Sequence, residues 1–468
     1  MIMVHGMFIE NGLSDWQIIQ QENGFASVSF SGTWILIRDA VKQGIEFVQP
    51  KIRVYREDDN TVVVDWVDAD FTKEEDAYRG EWSVTVDIPA GGLYRVETGL
   101  YAKCVREGLD WIFRGDACLH IGVGDLFLIA GQSNSAGYAK DMAFDPPMPG
   151  VHLYRNRGSW DIASHPMNEA TLAADAANAE RGNPGVSPWL SFGKKFLKYS
   201  GYPVGLIQTA QGGLSIRKWE SDSSPMYVNM LNRAKAQKKI AGVLWYQGCS
   251  DTYIDNCELY KERYYSLIER FRKALGYEVP FFTFQINRQV NGEHDPGWGM
   301  VREVQRLAAH DMEKVYVLPT TAEKLCDDIH NCAHSCVHLG ENMAKLCAHV
   351  LYKKEAFFAP EICEAVYEDD VLTMRFQNVS GRICAQAVDA QKCGFTVEDE
   401  TGIMEFDEIK MDYDQPDTVR INLNRAPIGF MYVSFAWEAN PTMTPPFDNK
   451  TYLPILSFYK YKVTKRNI

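Results

Sequence analysis

The chain has 468 residues and a formal net charge of −14. With 46% apolar and 24% charged residues it can bury the cores of two or three domains, and its acidity excludes nucleic acid and an anionic membrane surface as main partners. The stretch Met1–Glu10 has neither a basic n-region nor an adequate apolar core, so no signal peptide is expected; no apolar run is long enough to cross a bilayer, and 11 scattered cysteines, an odd number, fit a reducing cytoplasm.

Roughly the first 115 residues read as β. Ala26–Phe30, Trp34–Ile37, Lys51–Tyr55, Thr61–Trp66, Trp82–Ile88 and Leu93–Thr98 are rich in Val, Ile, Tyr and Trp. The turn clusters Glu57–Asn60 and Pro89–Gly92 separate them. Short, evenly spaced strands of this kind predict a sandwich or jelly-roll-like domain over 1–115.

From about residue 116 strand-like and helical runs alternate. Leu126–Ala130, Val204–Gln208, Ile240–Tyr246, Phe281–Ile286 and Val315–Leu318 read as strands. Trp189–Tyr199, Met226–Lys238, Leu259–Leu275, Val301–His310 and Leu339–Tyr352 read as helices. The alternation predicts an α/β domain over 116–356, with a parallel sheet covered on both faces. After residue 357 Leu372–Phe376, Thr396–Glu398, Thr418–Asn422 and Met431–Phe435 read as strands of a β-rich C-terminal region over 357–468.

In such a sheet, ligands bind beyond the carboxyl ends of the strands. The first strand is followed by Gly131-Gln132-Ser133-Asn134, and the second by Gly212-Gly213-Leu-Ser215-Ile-Arg217-Lys-Trp219-Glu220. The third is followed by Gln247-Gly248-Cys249-Ser250-Asp251, the fourth by Asn287-Arg288, and the last by Asp327-Asp328-Ile329-His330. Together these supply the parts that acyl transfer needs. Ser133 is the candidate nucleophile, His330 the base and then acid, and Asp327 the group that orients the imidazole. The Ser133 N–H, Gly212, Gly213 and the Gln247 amide are candidate oxyanion donors. Gln132 and Asn134, beside the nucleophile, join the oxyanion and substrate-binding set. Arg217 and Trp219 read either as the wall of a sugar pocket or as a surface turn with Trp packed over Arg. Arg288 reads as a structural ion pair or as a partner for a substrate carboxylate.

The segment Cys326–His338 holds Cys326, His330, Cys332, His334, Cys336 and His338. Its density raises a zinc site as a competing reading, although the cysteine spacings match no standard finger. His338 is a fallback for the triad, but Ser335 rather than an acid lies three residues before it.

Gly-Gln-Ser-Asn after an apolar strand, Gly-Gly-x-Ser-Ile-x-x-Trp, Trp-Tyr-Gln-Gly-x-Ser-Asp and Asp-x-x-His resemble the sialate O-acetylesterase family. This is a branch of the SGNH hydrolases related to acetylxylan esterases. Val186-Ser-Pro-Trp189, Val204-Gly-Leu-Ile-Gln208 and Arg302-Glu303-x-x-Gln305 match in the same order. The resemblance covers about residues 115–355. It implies a flavodoxin-like three-layer α/β/α fold and deacetylation of O-acetylated sugars by Ser133, His330 and Asp327, without cofactor or metal. The implied partner is an acetylated sugar, with no role for nucleic acid or membrane. Where the family usually has Glu, this chain has Cys249, for which packing is the expected role. The alternatives are an acetylxylan or other acetylated-oligosaccharide esterase and a catalytically weak carbohydrate-binding protein on the same scaffold. Neither the sugar nor the oligomeric state is legible in the sequence.

Overall fold

The computed structural model describes residues 5–36, 44–75, 78–105, 110–182, 185–385 and 393–466. By contacts the chain divides into two compact units. One comprises Met1–Phe127, Pro147–Ala163 and Ser200–Ile207; the other comprises Leu128–Pro146, Ser164–Tyr199 and Gln208–Ile468.

In the first unit the strands are β1 (Gly6–Asn11), β2 (Ile18–Gln20), β3 (Phe25–Ile35), β4 (Ile45–Arg56), β5 (Val62–Asp68), β6 (Asp70–Phe71), β7 (Arg79–Pro89), β8 (Gly91–Cys104) and the start of β9 (Trp111–Gly131). One sheet runs β1-β3-β7-β6. In a second layer β4 pairs antiparallel with β5 and β8, and β8 with β9. Alternation sets the faces: Ile52 and Val54 point inward while Arg53 and Tyr55 point outward. The inward residues of both layers, among them Phe30, Trp34, Trp82, Val96 and Leu100, form one apolar core, as a sandwich requires. The expected strands Ala26–Phe30 and Trp34–Ile37 are one strand through Ile35; Ile37 lies outside the described residues. The same unit contains β10 (Val151–Tyr154), antiparallel to β11 (Trp160–Ile162) and parallel to β12 (Val204–Gln208). Neither β10 nor β11 was expected; both are very short.

The second unit takes up β9 at Leu128 and adds the parallel strands β13 (Gly242–Tyr246), β14 (Phe281–Phe284) and β15 (Val315–Leu318) in the order β9-β13-β14-β15. Residues 121–131 of β9, all of β13 and all of β14 are buried, which is why they read as mainly apolar runs without alternation. The helices are α1 (Ser133–Ala136), α2 (Trp189–Ser200), α3 (Pro225–Ala236), α4 (Ile254–Leu275), α5 (Asp295–Asp311) and α6 (Ala333–Tyr352). α6 starts six residues before the expected Leu339, so His334, Cys336 and His338 are helical and His330 is not.

C-terminal to α6 the chain is β again. Strands Glu361–Glu368, Val371–Gln377, Thr418–Leu423 and Phe406–Met411 form one sheet, and Phe395–Asp399, Met431–Phe435 and Phe458–Lys462 belong to another. Their apolar faces share a core that includes Leu372, Met374, Val397, Ile421 and Phe435. The fold is α/β with flanking β-rich regions.

Candidate active site

β9 ends at Gly131, whose φ is +126°. A Cβ there would overlap the Tyr246 carbonyl of β13, so only glycine lets the two strands meet while the chain turns. Gln132 is the extended N-cap and Ser133–Ala136 form the single turn of α1, which ends on Gly137 in the left-handed region with its N–H on the Ser133 carbonyl, 2.9 Å. Ser135 donates to the Ala130 carbonyl, and the Trp189 indole donates to the Ser135 carbonyl. The turn is thereby fixed, with Ser133 only 6% exposed.

The loop between β15 and α6 carries the other two members. Asp327 Oδ1 accepts the N–H groups of Ile329 and His330, at 3.0 and 2.8 Å. The His330 Nδ1–H donates to Asp327 Oδ2 at 2.8 Å. That bond leaves Nε2 as the acceptor, 2.9 Å from the Ser133 hydroxyl. Burial pushes the Asp327 carboxyl up, but hydrogen bonds from His330 and from the two backbone N–H groups outweigh it and hold it below the ordinary 3.8. The carboxylate is thus held ionised beside the ring.

Gln132 and Asn134 hold the loops on either side. Gln132 Oε1 accepts the N–H groups of Gly248 and Ser250, at 3.0 and 3.3 Å. Asn134 donates to the Ile329 carbonyl and accepts the Asn331 N–H, at 3.2 and 3.0 Å. Both ends of the Asn134 amide are therefore occupied by the histidine loop rather than turned to a ligand. Asn287, buried at the end of β14, donates to the Ile329 carbonyl and to Asn331 Oδ1.

Several expected roles change. The Gly212 N–H donates to Glu180 Oε2 at 3.1 Å, so it is not free for an oxyanion. What demands glycine there is the Tyr138 hydroxyl, which a Cβ would overlap. Gly213, at φ +72°, has open space around its Cβ position. Gln247 is fully buried and gives its amide hydrogens to Asp251 and the Leu214 carbonyl, which removes it from the donor set. Trp219 is core, edge-on to Trp245 at 5.4 Å, and Arg217 is exposed on the same short turn. Cys249 is buried with its thiol on Asn287 Oδ1, 3.4 Å; burial pushes it up to about 12, the state of an inert packing cysteine. Arg288 makes no ion pair among the described residues. It is 7% exposed, reaches Asn440 at 2.8 Å, and its Nε has no partner.

The Cys/His cluster does not converge. His330 faces Ser133, while His338 pairs with Glu323 at 2.7 Å. Among the described residues no three His, Cys, Asp or Glu side chains gather as metal ligands. The pairing with Glu323 also takes His338 out of the triad.

Two positions escaped the sequence reading. Tyr138, immediately after Gly137, lays its ring against His330 at 5.0 Å between centroids. Its hydroxyl donates to Glu180 at 2.6 Å, and the buried Glu180 also accepts from Asn168 and Gly212. The signal available was an aromatic directly after the serine motif; nothing in the sequence points from there to Glu180.

Residues 123–349 match the model of the family described as carbohydrate esterase, sialic acid-specific acetylesterase. A probable carbohydrate esterase of Arabidopsis thaliana is 30% identical over 177 residues; the match covers 32% of this chain and 64% of the relative's length. A crystal structure of a carbohydrate acetylesterase from Xanthomonas citri aligns over 97% of this chain and 99% of its own at 19% identity, with a TM-score of 0.65, a likeness of fold. A second crystal structure, of an Arabidopsis thaliana protein, covers 48% of this chain and 97% of its own at 24% identity and a TM-score of 0.42. In its ordered motifs and in the match over 123–349, the α/β part of this chain is similar to the sialic acid-specific acetylesterase family of carbohydrate esterases.

Proposed function

We propose that the protein is a carbohydrate O-acetylesterase that removes acetyl groups from sugar hydroxyls through an acetyl-Ser133 intermediate. The observation that carries this reading is the continuous relay from Asp327 through His330 to the Ser133 hydroxyl, each link 2.8–2.9 Å.

In the forward half, Ser133 Oγ attacks the acetyl carbonyl carbon while its proton passes to His330 Nε2. Asp327 stabilises the imidazolium through Nδ1–H. The oxyanion meets the Ser133 N–H, which as the first of its helix has no intrahelical acceptor. Collapse breaks the bond from carbonyl carbon to sugar oxygen, and Nε2–H protonates that oxygen. Water then attacks the acetyl-serine, gives its proton to Nε2, and acetate leaves as Ser133 Oγ recovers the proton.

Within this reading the favoured substrate is an acidic sugar of the sialate type. Its support is Arg288, a buried guanidinium without a carboxylate partner among the described residues. The residues that follow it bond to the triad loop, with the Val290 N–H on the Asp328 carbonyl at 2.9 Å. Such a group suits a substrate carboxylate.

The test is acetate release from an aryl acetate and from a panel of acetylated sugars, with wild type, Ser133→Ala and Arg288→Met. Ser133→Ala should lose about four orders of magnitude in kcat, and an acetyl group should be trapped on Ser133 at short times. Arg288→Met should lose turnover of acetylated sialate while keeping that of the aryl acetate. Equal rates for Ser133→Ala and wild type would remove the serine mechanism. Tight sugar binding without turnover would favour a carbohydrate-binding protein.

A further inference from the structure

On the outer face of the sandwich layer in the first unit, three arginines surround one carboxylate. Arg53 on β4, Arg95 and Glu97 on β8, and Arg114 on β9 lie on adjacent antiparallel strands. Glu97 is 4% exposed. Its Oε2 accepts from Arg53 Nε and Nη2, at 3.3 and 3.1 Å. Its Oε1 accepts from Arg114 Nη2 at 2.9 Å and lies 2.7 Å from Arg95 Nε.

One buried carboxylate balances the charge of one guanidinium. The other two place excess positive charge in one small area of a chain whose net charge is −14, against the repulsion among like charges. Nη1 of Arg53, Nη1 of Arg114 and both Nη groups of Arg95 meet no carboxylate among the described residues.

The arginines are held in place rather than waving free. The Arg53 guanidinium lies 4.3 Å from the ring centroids of both Tyr55 and Trp66, and Arg95 lies 4.9 Å from Tyr55. Trp66 reaches this position by crossing Gly99, where a Cβ would collide with the indole. The result is a cleft of about 410 Å³ lined by Arg53, Trp66, Arg95, Glu97, Ile112 and Arg114. Excess guanidinium and an aromatic face in one concavity are the parts that bind an anionic ring: charge for the carboxylate, indole for the C–H face.

We propose that this cleft is a second carbohydrate site, which binds a carboxylated sugar residue, a sialic or uronic acid, apart from the hydrolytic centre. The guanidiniums of Arg95 and Arg114 meet the carboxylate, Glu97 fixes their directions, and Trp66 carries the sugar ring. The choice of a sugar over another anion rests on the carbohydrate-esterase reading above; the choice of an anion does not.

The experiment is calorimetric titration of the 468-residue chain carrying Ser133→Ala, which prevents turnover. The probes are N-acetylneuraminic acid, glucuronic acid, their neutral methyl esters and inorganic phosphate. Both acids should bind, and the esters should not. Arg114→Glu, at a largely exposed side chain, should weaken the acids by about tenfold or more, as should Trp66→Ala. In the Ser133 background, Arg114→Glu alone should leave aryl-acetate hydrolysis unchanged. Equal binding of acids and esters, or acid binding untouched by Arg114→Glu, overturns the site. Phosphate binding as tight as that of the acids overturns the sugar and leaves a bare anion site. Failure of the esterase reading shows separately, as acetate release that survives Ser133→Ala.

Discussion

The Ser133 hydroxyl has its acceptor in His330 Nε2, and that acceptor exists because Asp327 holds the proton on the opposite nitrogen. Asp327→Asn should therefore keep the geometry but favour the wrong tautomer, with kcat for an aryl acetate falling by about 10³ to 10⁴. The pH dependence follows from the same pair. The folded Asp327 carboxyl is depressed below 3.8, so its contribution to stability is present above that value and is lost only as pH falls through the lower folded one. With Asp327 ionised throughout, kcat/KM should rise with pH, because only neutral imidazole can take the serine proton. A flat profile across about pH 5 to 8 for a substrate whose chemistry is limiting contradicts a histidine base. Tyr138→Phe separates two jobs of one side chain. The ring stays on His330, while buried Glu180 loses a donor. Stability measured by urea unfolding should drop by about 1–2 kcal/mol, with kcat changed less than about threefold.

The elements around the site are held by helix α5. Arg302 is fully buried, and burial pushes it down to about 10, still charged at neutral pH. Among the described residues it donates to carbonyls alone: Ile286 and Asn287 after β14, and Ala436 and Glu438 in the C-terminal region. One turn on, Gln305 accepts the Ile286 N–H and donates to the Gln247 carbonyl. Arg302→Met should leave these carbonyls without a donor and cost about 3–5 kcal/mol in chemical denaturation. It should also lower kcat by displacing Asn287 from the histidine loop. The arginine and glutamine were visible as a motif, but not their task. That Ser133, Asp327 and His330 come together could be read from sequence, because each stands out by residue type at the end of an apolar run. The assignment of Gly212 and Gln247 failed for a different reason. Which way a loop N–H or amide faces is decided by partners elsewhere in the fold, Glu180 in one case and Asp251 with Leu214 in the other. Trp219 was ambiguous because a short 3₁₀ turn has no long periodicity to reveal its inner face.

For the whole molecule, chain connectivity matters more than the count of domains. A boundary near residue 115 falls inside β9, which runs unbroken from Trp111 to Gly131 and delivers the chain to Ser133. Within the first unit β9 pairs with β8 and β2, with Gly122 opposite Gly92 and Ile18. A chain beginning at residue 116 should thus expose Ile121 and Val123, both fully buried. It should bind a hydrophobic dye and unfold without a cooperative transition; a sharp thermal transition with retained esterase activity would show the α/β part to be autonomous.

The residues on either side of Ser133 bond to backbone, not to side chains: Gln132 to the N–H groups of Gly248 and Ser250, Asn134 to the carbonyl of Ile329 and the N–H of Asn331. A grip on the main chain is indifferent to what the gripped residue carries. Position 249 lies between two gripped residues, and its side chain is not part of the grip. A side chain at 249 can thus be fitted to its own neighbours, as the Cys249 thiol is to Asn287, while the path of the loop beside Ser133 stays fixed.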